Sequence, residues 1–297
     1  MTHSTDLGTL SDLPVNVSIP GYRLRRPVGQ DAIGLWFDAE QESLERKVTL
    51  KILRPEYESH EGARREFFAE MDTLAPLDHP DILHVLHTDR GAIPVLVTER
   101  LPQDRLETML RPAKPLGEQS SLQLARSIAR AAEHLLEKGL AAKNLTPSLL
   151  ATRTGGLRLI TFRNVIRFEE LVALKGKLAQ DPNYVAPEQL AGEAPVGPQT
   201  PVYQVAAMLF HMLAGRAPHG PGLPKEVAKA HLTAEFPSLK RFQPFLSKGI
   251  YDLIAACTER DPAARPDLAL LLESIDHILD GKAPPLESDG AGARRAR

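Results

Sequence analysis

Between residues 47 and 53 the chain alternates: Val48, Leu50 and Ile52 are apolar, while Lys47, Thr49 and Lys51 are polar. A period of two marks a strand with one buried face. The runs Tyr22 to Val28 and Leu35 to Ala39 share this character, and the three together predict an antiparallel meander. Over residues 63–77 the period becomes helical, with Phe67, Met71 and Leu74 on one face and Pro80 closing the region. Strand-like runs return at Ile82 to His87 and Ile93 to Thr98. After Leu101 helices dominate: Ser121 to Lys138, Thr200 to Leu213, Lys225 to His231, Ile250 to Cys257 and Pro266 to Leu279, with Pro266 in the first turn of the last. Residues 1–20 are polar, contain Pro14 and Pro20, and read as a flexible arm. From Gly281 onward the Pro-, Gly- and Arg-rich residues read as a disordered tail.

Composition narrows the function classes. The chain has 297 residues, 42% hydrophobic and 25% charged, which is ordinary for a globular protein and enough for one large domain or two lobes. A formal net charge of -2 gives no global attraction to nucleic acid, so no nucleic-acid partner is expected. The longest apolar segment, Val202 to Gly215, contains Gln204 and His211 and is too short to span a bilayer. No membrane insertion is expected. The single Cys257 excludes an intrachain disulfide and sits among Leu253, Ile254, Ala255 and Ala256, so it reads as a buried thiol. A cytoplasmic location follows as the expectation.

Several chemistries are missing. There is no His-Glu-x-x-His run, no Cys cluster, no Gly-x-Ser-x-Gly elbow and no Walker loop. His84 and His87 fall in a strand-like run, where their spacing puts them on opposite faces, so no zinc site is expected.

Five strands interrupted by one helix, then a larger helical half, is the element order of a protein kinase. A series of short motifs carries the resemblance over roughly residues 21–280. Val28 to Trp36 resembles the glycine-rich loop, with Gly29 and Gly34 at its first and third glycines and Asp31 at the second. That loop works by bringing bare backbone N–H groups close to phosphates, which a carboxylate opposes. Val48-Thr49-Leu50-Lys51 resembles the strand whose lysine contacts the nucleotide phosphates, and Glu70 stands where that lysine's ion-pair partner belongs. Val97 to Leu101 resembles the hinge between lobes, with Thr98 as gatekeeper and Glu99 beside it.

Gly139 to Ala151 resembles the catalytic loop, and here the chemistry departs. The His-Arg-Asp triplet reads Ala142-Lys143-Asn144, the functional lysine is Thr146 and the metal-binding asparagine is Leu149. An amide at 144 cannot act as a base, a loss that typically costs ~10²–10⁴ in rate. Leu157 to Arg163 resembles the strand leading into Asp-Phe-Gly, with Thr161 for the aspartate, Phe162 retained and Arg163 for the glycine. Magnesium wants carboxylate oxygens, and Leu149 and Thr161 remove them. Trp36 and Thr49 replace smaller residues that pack on adenine, and both add volume to that pocket.

The scaffold signature survives. Glu188 of Ala186-Pro187-Glu188 is matched by Arg265 in Asp261 to Pro266, a structural ion pair in the family. Pro201 replaces the helix aspartate that anchors the catalytic-loop backbone, and Asp181 replaces the threonine that faces that loop. From Arg163 to Glu188 there is no Ser or Thr, and Tyr184 is the only hydroxyl.

The chain is therefore identified as a member of the bacterial, Hanks-type Ser/Thr protein kinase-like family with degenerate catalytic motifs. The expected fold is α+β and two-lobed: an arm over 1–20, a small five-stranded antiparallel sheet plus one helix over 21–101, a larger mainly helical lobe over 102–280, and a tail over 281–297. The expected function is that of a pseudokinase, a protein-binding scaffold or allosteric regulator whose partner is an active kinase or other signalling protein. No cofactor and no metal are expected. Asn144, Thr146, Leu149 and Thr161 mark the degenerate positions, while Lys51, Glu70, Gly29, Gly34, Thr98 and Glu99 line a vestigial nucleotide cleft blocked by Trp36 and Thr49. Its candidate surfaces are the cleft mouth with Lys51 and Lys143, the remodelled activation segment, and the helix after Pro224. Two other readings stay open. One is a kinase-family enzyme with unorthodox, metal-independent ATP binding or transfer, using Asp31 or Asp181 as its carboxylate. The other is a module that holds a non-nucleotide anion with Lys51, Lys143 and Arg163.

Overall fold

A computed structural model describes residues 17–102, 104–153, 156–160, 164–173, 181–191 and 196–287. The chain divides into two compact units, Met1–Pro102 and Gln103–Arg297.

The first unit is built on a five-stranded antiparallel sheet of order β1-β2-β3-β5-β4, formed by β1 (Tyr22–Gln30), β2 (Gly34–Gln41), β3 (Arg46–Leu53), β4 (Val85–Asp89) and β5 (Val95–Glu99). Its register opposes Trp36 to Lys51, Asp38 to Thr49 and Thr49 to Thr98. Because side chains alternate across a strand, these polar residues share one face and the apolar set takes the other. Leu35, Phe37, Ala39, Val48, Leu50, Ile52, Val95 and Val97 form that second, buried face. Ile19 belongs to the same cluster and Val17 packs against it, so the end of the expected arm is part of the core.

The helix of this unit, α1 (Glu61–Leu74), buries Phe67, Met71 and Leu74 as its period predicts. It starts two residues earlier than expected because the His60 ring caps it, accepting the Ala63 N–H at 3.1 Å.

The second unit is mainly helical: α2 (Leu106–Leu110), α3 (Glu118–Glu137), α4 (Phe168–Ala173), α5 (Pro187–Ala191), α6 (Thr200–Ala214), α7 (Pro224–Thr233), α8 (Lys248–Cys257) and α9 (Leu268–Leu279). Two small sheets accompany them, β6 (Leu140–Ala142) with β9 (Val165–Arg167), and β7 (Leu150–Arg153) with β8 (Gly156–Leu159). Strands this short carry no legible period, and of the four β8 alone was signalled, by the resemblance at Leu157 to Arg163. The centre is α6, buried on nearly every side and packed on α3, α8 and α9.

Two end effects differ from expectation. Pro266 lies outside α9, because Asp267 takes the cap and its carboxylate accepts the Leu270 N–H at 2.8 Å. Order also continues past Gly281: Pro284 is buried, and a side chain on Gly249 would meet it. Residues 288–297 and 1–16 lie outside the described residues.

Candidate functional site

In the first unit the site is centred on Lys51, which β3 carries on the polar face of the sheet. Its side chain is wholly buried. The ammonium lies 2.7 Å and 2.6 Å from the two carboxylate oxygens of Glu70 on α1. It also lies 2.7 Å from Oδ2 of Asp31, in the turn between β1 and β2. An ammonium has three donors, and three carboxylate oxygens surround it.

The other half of the Asp31 carboxylate organises the turn itself. Oδ1 accepts the Ile33 N–H at 3.0 Å and the Gly34 N–H at 2.9 Å. The Trp36 indole N–H points to Oδ2 at 3.4 Å, and its ring lies 5.2 Å from the Lys51 ammonium, with the Phe67 ring 5.5 Å away. Trp36 is thus packed on the lysine rather than turned to solvent. A Cβ at Gly34 would stand 2.3 Å from Cε of Lys51, so any larger residue there would have to displace the lysine side chain. Gly29 has no such constraint, its nearest neighbour being Cβ of Trp36 at 3.9 Å.

At the end of β5 the hinge-like residues are also engaged. The Leu101 N–H donates to Oγ1 of Thr49 at 3.0 Å, and the Thr98 hydroxyl donates to the Glu99 carbonyl at 2.8 Å. The Glu99 carboxylate accepts the His84 N–H at 3.0 Å. Thr49 and Thr98 are both fully buried.

In the second unit the catalytic-loop-like segment is fixed by buried amides. Asn144 is 3% exposed. Its Oδ1 accepts from Nε2 of Gln204 on α6 at 2.9 Å, and its Nδ2 points to the Asp181 carbonyl at 3.4 Å. The same Gln204 nitrogen donates to Oε1 of Gln189 at 3.0 Å, and Gln189 donates to the Lys143 carbonyl at 2.9 Å. Asn164 donates to the Asn144 carbonyl at 2.8 Å, and its own carbonyl accepts the Lys143 N–H at 2.7 Å. Gln189, Gln204 and Asn164 therefore hold this loop. Ala142 and Pro201 line a cavity of about 10 Å³, the lower limit for one water.

Thr146 shares a hydrogen bond of 2.9 Å with Ser148, and Leu149 is half-buried beside them. Asp181 caps the turn Pro182–Tyr184 by accepting the Asn183 N–H at 3.0 Å. Thr161, Phe162 and Arg163 lie outside the described residues. Glu188 and Arg265 meet in a bidentate pair of 2.8 Å and 2.9 Å, with both side chains at 0% exposure.

Sequence reading missed Gln189 and Gln204. Gln204 was visible as the one amide in an apolar helix, a position where a polar side chain must find a partner. It also missed the pair of Tyr184 and His211, whose hydroxyl and Nδ1 are 2.7 Å apart and whose rings stack. Tyr184, the only hydroxyl between 163 and 188, is 4% exposed and so is not offered to a kinase.

Burial pushes the His211 imidazole down to about 4. Burial, then the neighbouring His219, pushes His231 down to about 3, and its Nδ1 lies 2.8 Å from the Tyr203 hydroxyl. Both rings are neutral when folded, whereas the unfolded chain binds protons below about pH 6.5. Stability from these two groups is therefore complete above pH 6.5 and is lost as pH falls toward 4. After discounting the partial exposure of His211, the loss is on the order of 3 kcal/mol. Urea midpoints measured between pH 7 and pH 4 for the parent and for a His211→Asn, His231→Asn variant check this. The variant should show the shallower decline.

A lysine paired with a helix glutamate beneath a sheet turn, together with a helical unit tied by a buried Glu–Arg pair, defines a protein kinase-like domain. A protein kinase domain family model matches residues 22–275, and the chain belongs to that family. Relatives include the serine/threonine-protein kinase pkn2 of Myxococcus xanthus, 28% identical over 260 residues, covering 84% of this chain and 31% of that protein. PrkC of Bacillus subtilis is 25% identical over 256 residues, covering 85% of this chain and 39% of that protein. PknA of Mycobacterium tuberculosis is 26% identical over 292 residues, covering 95% of this chain and 67% of that protein. The chain thus spans well under half of the length of the first two relatives. Among the described residues no helix is long and apolar enough to cross a membrane.

Proposed function

We propose that this chain is a pseudokinase: a kinase-family domain that acts as a protein-binding scaffold or allosteric regulator in signalling, in a cytoplasmic setting, without phosphoryl transfer. The observation that carries this reading is the state of Asn144. It occupies the position of the family's catalytic aspartate, yet its side chain is committed to Gln204 and the Asp181 carbonyl inside the second unit. A general base must reach the proton it abstracts and hold a suitable pKa. A buried amide in a structural network does neither.

Magnesium nucleotide does not fit the donor set at the described positions. Leu149 offers no oxygen, and the amide oxygen of Asn144 is already an acceptor for Gln204. The two carboxylates nominated for unorthodox chemistry are also in use, Asp31 on Lys51 and Asp181 on Asn183. The same pairing of Lys51 weighs against an anion-holding module. What is kept is architecture, above all the buried Glu188–Arg265 pair, which is what a domain needs in order to present surfaces to a protein partner such as an active kinase.

The test is phosphoryl transfer from radiolabelled ATP, with magnesium and with manganese, to a generic protein substrate and to the chain itself. The parent should give the same background signal as Lys51→Ala. Transfer by the parent that Lys51→Ala abolishes would overturn the reading.

A further inference from the structure

We infer that Asp31 is an internal substitute for a nucleotide phosphate, and that it decides what this site rejects. The inference rests on the pseudokinase reading but concerns binding rather than transfer. All of its atoms lie within the first unit.

A glycine-rich loop over a lysine recognises phosphate with two kinds of donor: backbone N–H groups of the turn and the ammonium below. Here one carboxylate collects both. Oδ1 of Asp31 accepts the N–H groups of Ile33 and Gly34 at 3.0 Å and 2.9 Å, and Oδ2 takes Lys51 at 2.7 Å. The Trp36 indole N–H adds a third type of donor at 3.4 Å. These are the groups that a bound phosphate would require, and an internal carboxylate holds them at no cost in association entropy.

Space and charge point the same way. The Gly34 backbone lies on the lysine stem so closely that even a Cβ would come within 2.3 Å of Cε, so the turn rests directly on the lysine. Asp31 and Glu70 together place two carboxylates on one ammonium, so a polyphosphate would have to displace carboxylates already on the lysine. The hinge end is treated alike. A flat heterocycle pairs with backbone N–H and C=O groups at the rim of its pocket, and here Thr49 takes the Leu101 N–H while Thr98 fills the Glu99 carbonyl. The unit therefore carries substitutes for both ends of a nucleotide, with Asp31 as the charged one.

The test uses the full chain and two probes, ATP and inorganic tripolyphosphate, each with and without magnesium, read by isothermal titration and by thermal shift. The parent should bind neither probe at millimolar concentration. Asp31→Gly should bind both at least tenfold more tightly, with no dependence on magnesium. Adding Thr49→Ala to Asp31→Gly should improve ATP binding further and leave tripolyphosphate unchanged. Asp31→Asn, which keeps the turn's acceptor and removes the charge, should fall between the parent and Asp31→Gly, and it serves if the glycine variant does not fold.

Parent protein that binds ATP as tightly as Asp31→Gly would sink the inference, and so would folded Asp31→Gly and Asp31→Asn that bind neither probe. Neither result touches the pseudokinase reading, which fails only if phosphate is transferred.

Discussion

Arg265→Met lowers the stability of the helical unit by about 3–5 kcal/mol, the range found when one partner of a buried ion pair is removed. Arg265 is the hub of a fully satisfied site. Nη1 and Nη2 hold Glu188 at 2.8 Å and 2.9 Å, Nε donates to the Glu259 carbonyl at 2.7 Å, and Nη2 also donates to the Arg260 carbonyl at 3.1 Å. Its guanidinium also lies 4.9 Å from the centre of the Tyr203 ring, so methionine keeps some packing and loses all of the charge. What remains is a Glu188 carboxylate with no exposed side-chain surface and, among the described residues, the Thr200 hydroxyl at 2.8 Å as its one hydrogen-bond donor apart from arginine. That uncompensated charge dominates the cost. It follows that Glu188→Leu combined with Arg265→Met should recover part of the loss, although neither change alone helps. Urea unfolding followed by far-UV circular dichroism decides the matter. A single-variant loss below about 1 kcal/mol would show that the pair is incidental to the unit.

The parts of the fold that were legible are those in which a strong period meets a clear boundary. Val48, Leu50 and Ile52 gave β3 its face, and Phe67, Met71 and Leu74 gave α1 its stripe, because burial of one face forces that spacing. The four short strands of the second unit show no period, since three or four residues cannot display an alternation, and β8 alone was signalled, by the family resemblance of Leu157 to Arg163. Ile19 was hidden differently: Val15, Val17 and Ile19 alternate with Asn16 and Ser18, but the run between Pro14 and Pro20 is too short to stand out from a polar arm, and Ile19 closes the sheet's hydrophobic cluster. At the candidate site, residue types announced which chemistry was absent but not what had replaced it. Asp31 read as an intruder in a phosphate loop, while its geometry makes it a ligand of Lys51. Thr49 read as extra bulk, while its hydroxyl is the acceptor for a hinge N–H. Each is a contact made by a side chain whose partner lies 20 or more positions away, and no local pattern encodes such a pairing.

Lys51→Met destabilises the first unit by about 3–5 kcal/mol, an outcome that distinguishes a structural lysine from one waiting for a ligand. A lysine held ready for phosphate has a vacant donor, and its loss is felt in binding. Lys51 instead sits between Asp31 and Glu70 at 2.7 Å and 2.6 Å, with no side-chain surface in water. Removing it leaves two carboxylates close together around an apolar methionine, with Phe67 on one side. Repulsion between them should open the turn that Asp31 organises and move Trp36, which is the chain's single tryptophan and therefore a fluorescent reporter of this site. The variant should show a shifted Trp36 emission and an earlier urea transition by that signal. Lys51→Met combined with Asp31→Asn and Glu70→Gln should regain most of the stability, because the two carboxylates that held the lysine are then uncharged. If Lys51→Met unfolds at the same urea concentration as the parent, the three-way ion cluster contributes nothing to the fold. In that case the lysine is a binding group that happens to rest on two carboxylates.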